Sequence, residues 1–175
     1  MLLAGCKGLQ ATHVYHKDRL SFSLYEDWVV NDDYNAVDVR YVYMKNQNPG
    51  ITQIVIEIRH KNDPDLKAGF RQYDASLKKF ASRYNKRDIA FNERTPQPIT
   101  QSAIQRRDID GLKETQKFVV NFREVHINRD SIHEFYRFNT RDQIIFIALD
   151  TSGDEYEQSE AALELILTSL DYYHY

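Results

Sequence analysis

The stretch Ile144-Ile145-Phe146-Ile147-Ala148-Leu149, followed by Thr151-Ser152-Gly153-Asp154-Glu155, decides the fold class of this chain. Six consecutive apolar residues leave no polar face, which is typical of a strand covered on both sides. The residues after them predict a helix start, because Ser152 and Glu155 have capping-box spacing and acidic groups suit the positive end of a helix dipole. A two-sided strand that leads into a helix indicates a layered α+β domain.

The flanking sequence extends this pattern in both directions. Towards the carboxyl end, the helix has one inner face, formed by Tyr156, Ser159, Leu163, Ile166, Leu167 and Leu170. Towards the amino end, residues 88–149 alternate as an antiparallel meander, with long strands over 112–125 and 131–139. Asp110-Gly111 predicts a hairpin turn, and residues 126–130 predict another turn.

The amino-terminal half predicts further strands and a second helix. Residues 20–24 alternate as a strand, residues 31–33 break the chain, and residues 37–44 and 51–59 form a hairpin. Asp63-Pro64 then begins a helix over 64–84, with an apolar face of Leu66, Phe70, Tyr73, Leu77, Phe80 and Tyr84. The sequence therefore predicts a single α+β domain: a central antiparallel sheet with a helix on each face, an α/β/α sandwich.

Composition limits the class of protein and its partners. The 175 residues are 42% hydrophobic and 28% charged, which fits one soluble globular domain, and the one cysteine excludes a disulfide framework. A net charge of −3 argues against nucleic acid as the main partner. No apolar run approaches the ~18 residues that a membrane-spanning helix needs.

The charge is nevertheless unevenly distributed. Residues 61–88 carry eight basic and four acidic residues, whereas residues 150–175 carry seven acidic residues and no Lys or Arg. Two interpretations stay open: solvated helix faces of opposite sign, or a bipolar surface that steers a charged partner. Under the second interpretation, the candidate partner-binding residues are Lys78, Lys79 and Arg83.

The amino terminus resembles the signal-peptide end of a bacterial lipoprotein. Leu3-Ala4-Gly5-Cys6 matches a lipobox, in which small residues precede a cysteine that receives the acyl chains. Only Met1 and Leu2 stand before the box, whereas a signal has an apolar region of ~7–15 residues, so we expect the reading frame to extend upstream or to have been trimmed. The resemblance implies lipidation at Cys6, a signal remnant and tether over 1–13, and a domain over 14–175. Lys7 after the cysteine favours the outer membrane.

A second resemblance concerns the domain itself. The segment Phe22-Ser23-Leu24-Tyr25-Glu26-Asp27-Trp28-Val29-Val30, together with the apolar strand and acidic helix at the other end, resembles the PsbP-like α/β/α sandwich. That superfamily includes the extrinsic photosystem II subunit, small lipoproteins resembling DcrB, and a nuclear import factor that binds Ran. The usual Pro-x-Gly-Trp turn is Glu26-Asp27-Trp28 here. The resemblance covers residues 14–171 and implies a non-catalytic assembly or accessory factor; the import role does not fit an exported protein. Trp28 is expected in the core.

Candidate chemistry is sparse. His126, Asp130, His133 and Glu134 flank one predicted turn and could bind zinc or calcium, with a solvated loop as the alternative. His13 and His16 could share a metal with Asp18, or be solvated tether residues. The sequence contains no Gly-x-Ser-x-Gly motif and no phosphate-binding glycine loop, so we expect no enzyme and no cofactor.

The leading functional interpretation is a lipid-anchored accessory or assembly factor in a Gram-negative envelope, facing the periplasm, that binds a protein partner. The membrane is contacted through the anchor at Cys6, and nucleic acid is not a partner. The first alternative is a periplasmic protein that binds a small ligand or a metal. The second is a hydrolase whose site is dispersed in sequence, which a buried acid–base pair with perturbed pKa values in a deep cleft would favour.

Overall fold

The computed structural model describes residues 12–48, 50, 52–60, 94–96, 100–106, 109–122 and 125–172. Within these residues it contains eleven strands, a short 3₁₀ turn over Gly153–Glu155 and one α-helix, α1, over Tyr156–Ser169. The strands are β1 (Thr12–Lys17), β2 (Leu20–Tyr25), β3 (Trp28–Ala36), β4 (Val39–Asn46), β5 (Gln53–His60), β6 (Arg94–Pro96), β7 (Thr100–Arg106), β8 (Ile109–Phe122), β9 (Val125–Asn139), β10 (Gln143–Ser152) and β11 (Asp171–Tyr172).

Two antiparallel sheets organise these strands. The large sheet has the order β3-β4-β5-β10-β9-β8-β6, with β7 also paired to β8, and the small sheet has the order β1-β2-β11. The predicted hairpins β4–β5 and β9–β10 are confirmed, with Ile144 paired to Asn139 in the second. No helix in the described part of the chain is long and apolar enough to cross a membrane.

The core lies between one face of the large sheet, called the inner face, and a layer made of the small sheet and α1. Alternate residues of the large-sheet strands form one side of the core. Residues of β2 and the buried face of α1 form the other side. The core residues are Leu20, Phe22, Leu24, Trp28, Val42, Met44, Ile54, Ile56, Ile58, Tyr136, Ile145, Ile147, Leu149, Ala162, Leu163, Ile166 and Leu167. Trp28 is a core residue, as predicted.

Strand β10 behaves as its sequence predicts. All six residues from Ile144 to Leu149 are buried. Ile145, Ile147 and Leu149 belong to the inner-face core, while the intervening side chains point to the opposite side, called the outer face. The absence of a polar face therefore reflects burial on both sides of this strand.

The helix prediction is confirmed for one face only. The small sheet and α1 cover the inner face, and α1 buries Ser159, Ala162, Leu163, Ile166 and Leu167. The helix predicted over 64–84 lies outside the described residues. A helix on each face of the sheet therefore stays a prediction, and the described part is an antiparallel sheet with a single helix.

One predicted chain break and two predicted turns are wrong. Strand β3 continues through residues 31–33, where a bulge between Val30 and Asp32 absorbs the irregular polar run. Strand β9 already begins at Val125, so residues 126–130 are extended. Gly111 lies inside β8 opposite Tyr136, and a Cβ there would stand 2.6 Å from the Tyr136 ring. Its glycine allows a close approach and does not form a turn.

The predicted capping box does not form. Ser152 makes no side-chain cap hydrogen bond, and α1 begins only at Tyr156. The Glu155 carboxylate instead accepts hydrogen bonds from the backbone N–H of Thr52, at 3.1 Å, and from the Thr52 hydroxyl. The start of the helix is thus fixed by a partner that is distant in sequence.

Candidate functional site

The four residues predicted as a metal site do not converge. His133 and Glu134 are neighbours in strand β9, so their side chains leave opposite faces of the sheet. Asp130 shares the face of Glu134 by alternation, and the side chain of His126 lies outside the described part. Among the described residues, no group of three or more His, Cys, Asp or Glu is placed to hold a metal ion.

The two histidines predicted in the tether do not point to one site. His13 and His16 lie in β1, which begins at Thr12 within the segment expected as a tether. Their spacing of three in a strand directs the two side chains to opposite faces. Cys6, Lys78, Lys79 and Arg83 lie outside the described residues.

Glu134 is the centre of a buried polar cluster on the inner face. Its side chain is 0% exposed, and Arg106 contacts both carboxylate oxygens, through Nε at 3.0 Å and Nη2 at 3.1 Å. The Tyr136 hydroxyl donates to Oε2 at 2.7 Å, and the Tyr156 hydroxyl donates to Oε1. Burial alone would raise the pKa of Glu134, but these hydrogen bonds outweigh it and hold the pKa below its usual value.

This Glu134 cluster connects α1 to the sheet. Arg106 of β7 also donates to Glu160 of α1 at 2.6 Å. Lys113 of β8 lies 3.7 Å from the centre of the Tyr156 ring, in cation–π geometry. The Arg106–Glu160 pair and the Tyr156–Glu134 hydrogen bond join the sheet to the helix, so the cluster acts as a structural tie. Glu134 could have been placed in the sheet from its alternation with Ile132 and Tyr136.

Three residues on the outer face have a different arrangement. Ser131 and His133 are two apart in β9, and Asp150 of β10 pairs directly with His133. Ser131 Oγ lies 3.0 Å from His133 Nε2, and His133 Nδ1 lies 3.3 Å from Asp150 Oδ1. The His133 and Asp150 side chains are 15% and 27% exposed. The order of hydroxyl, imidazole and carboxylate is that of a nucleophile–base–acid relay, but His133 Nδ1 is buried without a hydrogen-bond partner among the described residues, so the link from His133 to Asp150 is not a hydrogen bond.

Burial perturbs both titrating groups of this Ser131–His133–Asp150 trio. It lowers the pKa of His133 to about 4 and raises the pKa of Asp150 to about 7. The imidazole is therefore neutral at neutral pH, and a pKa this far below the working pH makes it a weak general base. No local sequence motif predicts the trio, because only the strand register brings Asp150 next to His133.

A third feature lies at the free end of the large sheet. β3 is the last strand in the sheet order, and its residues Asn31, Asp32, Tyr34, Asn35 and Ala36 are exposed. On the outer face, the Tyr34 ring centre lies 5.6 Å from that of Tyr41 and 6.1 Å from that of Tyr43. At the tip of the β3–β4 hairpin, Val37 is 98% exposed, with φ of 54°.

No protein-family model and no curated protein matches this sequence. Several solved structures are loosely similar to it, and three of them are described below. The cyanobacterial PsbP protein CyanoP from Synechocystis is 16% identical, with 97% of this chain and 96% of that chain covered and a TM-score of 0.46. LpqN, involved in cell envelope biogenesis of Mycobacterium tuberculosis, is 12% identical, with 92% and 90% covered and a TM-score of 0.42.

The third is the Ran-binding protein Mog1p of Saccharomyces cerevisiae, at 8% identity, with 94% and 96% covered and a TM-score of 0.43. A PsbP protein is thus among the structures similar to this chain, as the sequence resemblance suggested. At TM-scores of 0.46 and below, these likenesses say nothing of a shared function.

Proposed function

We propose that this chain is a non-catalytic accessory domain of a Gram-negative cell envelope that acts by binding another protein. The observation that carries the proposal is the β3 edge of the large sheet, beside which the described residues place no further strand. A strand edge with no neighbour among the described residues, a cluster of three tyrosines and an exposed valine occur together on the β3–β4 hairpin. Exposed aromatic and apolar groups beside an open sheet edge are typical of protein-binding surfaces.

Two largely buried carboxylates support this proposal, because each is held in a structural role by an arginine. Glu134 is matched by Arg106 and two tyrosine hydroxyls. Asp33 of β3 is matched by Arg40, whose Nε and Nη2 lie 2.9 and 2.8 Å from its two oxygens. Both carboxylates are therefore engaged in structural ion pairs.

Position-specific crosslinking tests the binding role. The protein is expressed in its native host with a photoreactive phenylalanine analogue in place of Tyr34. In the matched control, the analogue replaces Asp142, which is exposed in the β9–β10 turn. We expect a discrete protein adduct from position 34 and none from position 142. Equal adducts from both positions, or none from either, would contradict a partner surface on this hairpin.

The proposed anchor is Cys6, with the domain held at the outer membrane and facing the periplasm. Metabolic labelling with an alkyne fatty acid, using the gene with its upstream sequence, should label the wild type and not Cys6→Ser. An unlabelled wild type, or an equally labelled variant, would contradict lipidation. Lys78, Lys79 and Arg83 remain proposed contributors to electrostatic encounter. Their joint reversal should slow association more at low salt than at high salt.

A second candidate function, hydrolysis, is favoured by one observation, the geometry of the Ser131–His133–Asp150 trio. The test is turnover of short-chain p-nitrophenyl esters by the wild type, Ser131→Ala and His133→Gln. Under the non-catalytic proposal, all three proteins should show the same background rate. A wild-type rate at least tenfold above that of both variants would instead establish the trio as a hydrolytic site.

A further inference from the structure

Strand β3 offers an open edge for backbone hydrogen bonding. Within the described residues it pairs with β4 and with no other strand. The bulge between Val30 and Asp32 divides the strand, and the register beyond it runs without interruption from Asp32 to Ala36. Five residues of regular edge, four of them exposed and Asp33 half-buried, are enough to receive a short added strand, the mode of recognition known as β-augmentation.

Strand β3 and the turns on either side of it carry acidic residues and no basic ones. Residues 20–39 contain no Lys or Arg and five carboxylates: Glu26, Asp27, Asp32, Asp33 and Asp38. Asp33 is neutralised by Arg40 and by Lys17, at 2.8 and 3.0 Å. Glu26, Asp32 and Asp38 are exposed. An incoming strand therefore meets a negative edge, which favours a basic segment.

The register places this negative charge beside the tyrosines. Asp32 pairs with Tyr43, and Tyr34 pairs with Tyr41, so all four side chains lie on the outer face. Tyr34 is 42% exposed and is the ring nearest the free edge. A Lys or Arg on an added strand could contact the Asp32 carboxylate and the Tyr34 ring together, combining an ion pair with a cation–π contact.

We propose that β3 binds an extended segment of a partner protein in which Lys or Arg alternates with apolar residues, by addition of that segment as a strand next to residues 32–36. This inference rests on the proposed protein-binding function and specifies the chemistry of the partner. A second copy of this chain is disfavoured as the occupant, because edge-to-edge pairing of two β3 strands brings together two edges of the same negative sign.

Peptide binding tests the proposal directly. The probe is a fluorescein-labelled peptide of five Lys-Val repeats, measured by fluorescence anisotropy at physiological salt. A peptide of five Glu-Val repeats tests the charge, and a Lys-Val peptide with its two central valines replaced by proline tests the backbone bonds, since proline has no N–H to donate. We expect binding of the first peptide, none of the second, and at least a tenfold loss for the third.

Variants of the protein locate the site. Asp32→Lys and Tyr34→Ala should each weaken binding of the Lys-Val peptide by about tenfold, equivalent to about 1.4 kcal/mol. Asp142→Lys makes the same charge change in the distant β9–β10 turn and should leave binding unchanged. Circular dichroism spectra and melting curves of the three variants confirm that each is folded.

Three results would overturn strand addition: equal binding of the proline peptide, an equal loss in Asp142→Lys, or no added hydrogen-exchange protection of the amides in residues 32–36. Failure of this inference is distinguishable from failure of the proposed function. If the peptide fails but Tyr34 still yields a specific crosslink, a partner binds at this hairpin by another mode. If both fail, the binding surface itself is wrong.

Discussion

At the scale of single residues, Val37 is in an unfavourable backbone conformation. It is the first residue of the two-residue loop between β3 and β4, its φ is 54°, and its side chain is 98% exposed. A β-branched side chain is strained at positive φ, whereas glycine at the first loop position is the preferred choice in such hairpins.

Val37→Gly should therefore stabilise the protein. Relief of strain worth ~1–3 kcal/mol exceeds the ~0.5–1 kcal/mol of added chain entropy in the unfolded state, for a net gain of about 1 kcal/mol. Urea unfolding measures it, with Val14→Gly in the exposed edge strand β1 as the matched control, which should destabilise. A loss of stability in Val37→Gly would show that the valine makes a compensating contact.

Trp28 is the residue whose role the sequence predicted most directly. Its side chain is 1% exposed and packs in the core. Trp28→Ala should lower the free energy of unfolding by ~3–5 kcal/mol. Its indole Nε1 is buried and has no hydrogen-bond partner among the described residues, so Trp28→Phe should cost much less. Equal melting temperatures for the wild type and Trp28→Ala would contradict burial.

At the scale of elements, the Glu134 cluster fixes α1 to the sheet. Glu134→Leu leaves Arg106 without its main partner, so it should cost about 3 kcal/mol. Since Arg106→Met removes the charge thus stranded, the double variant should be more stable than the sum of the two single effects predicts, by at least ~1 kcal/mol. Chemical denaturation of the four proteins measures this coupling.

The control for that cycle pairs Glu134→Leu with Lys45→Met, an exposed residue of β4 that lies outside the cluster. Those two effects should add. Additivity for Glu134 with Arg106 as well would mean that the cluster contributes no cooperative link between helix and sheet.

The elements show which parts of the fold the sequence specifies locally. The period of two in residues 20–24 and 131–139 and the apolar run of 144–149 correctly predicted strands, because burial imposes that alternation. Gly111 and the polar residues 31–33 misled, because turn residues also serve inside strands, as a close approach or a bulge. Local composition does not distinguish these uses.

The same reasoning applies to the candidate sites. Proximity in sequence suggested a cluster around His133 and Glu134, whereas the pleat sends the two side chains to opposite faces. The Asp150–His133 contact and the Arg106–Glu134 pair depend on which strands are neighbours and in which register. Neither the order of the strands nor their register can be obtained from the sequence before the strand pairing is known.

At the scale of the whole molecule, a second tie connects the small sheet to the large one. Arg40 of β4 holds Asp33 through two nitrogens and donates to the backbone carbonyls of Lys17 and Asp18 at the β1–β2 turn. The Tyr15 hydroxyl of β1 also donates to Asp33, and its pKa rises to about 12, through burial first and then this hydrogen bond and the adjacent carboxylate. Hydrogen bonding from Arg40 holds the pKa of Asp33 well below its usual range.

The free energy of unfolding should therefore depend on pH, with Asp33 and His133 acting in one direction and Asp150 in the other. Asp33 has a lowered pKa, so its contribution is complete above about pH 4 and is lost as the pH falls further. His133 is buried as the neutral form, so its contribution is complete above about pH 6.5 and is lost as the pH falls towards 4. Both groups make the protein sensitive to acid.

Asp150 acts in the other direction. Burial raises its pKa from 3.8 to about 7, so the folded state holds a proton that the unfolded state has released, and stability falls as the pH rises from about 4 to 7.

Asp150→Asn removes this ionisation while keeping the shape of the side chain. Across that interval, the free energy of unfolding of the variant should rise relative to that of the wild type by at least about 1 kcal/mol, since one unit of pKa shift corresponds to about 1.4 kcal/mol. Urea unfolding at pH 4, 5.5, 7 and 8 measures the difference, with Asp142→Asn in the exposed turn as the control that should run parallel to the wild type. If the Asp150→Asn curve is also parallel, the carboxyl ionises as readily in the folded chain as in the unfolded one, and the buried acid–base pair that favours the hydrolytic alternative is lost with it.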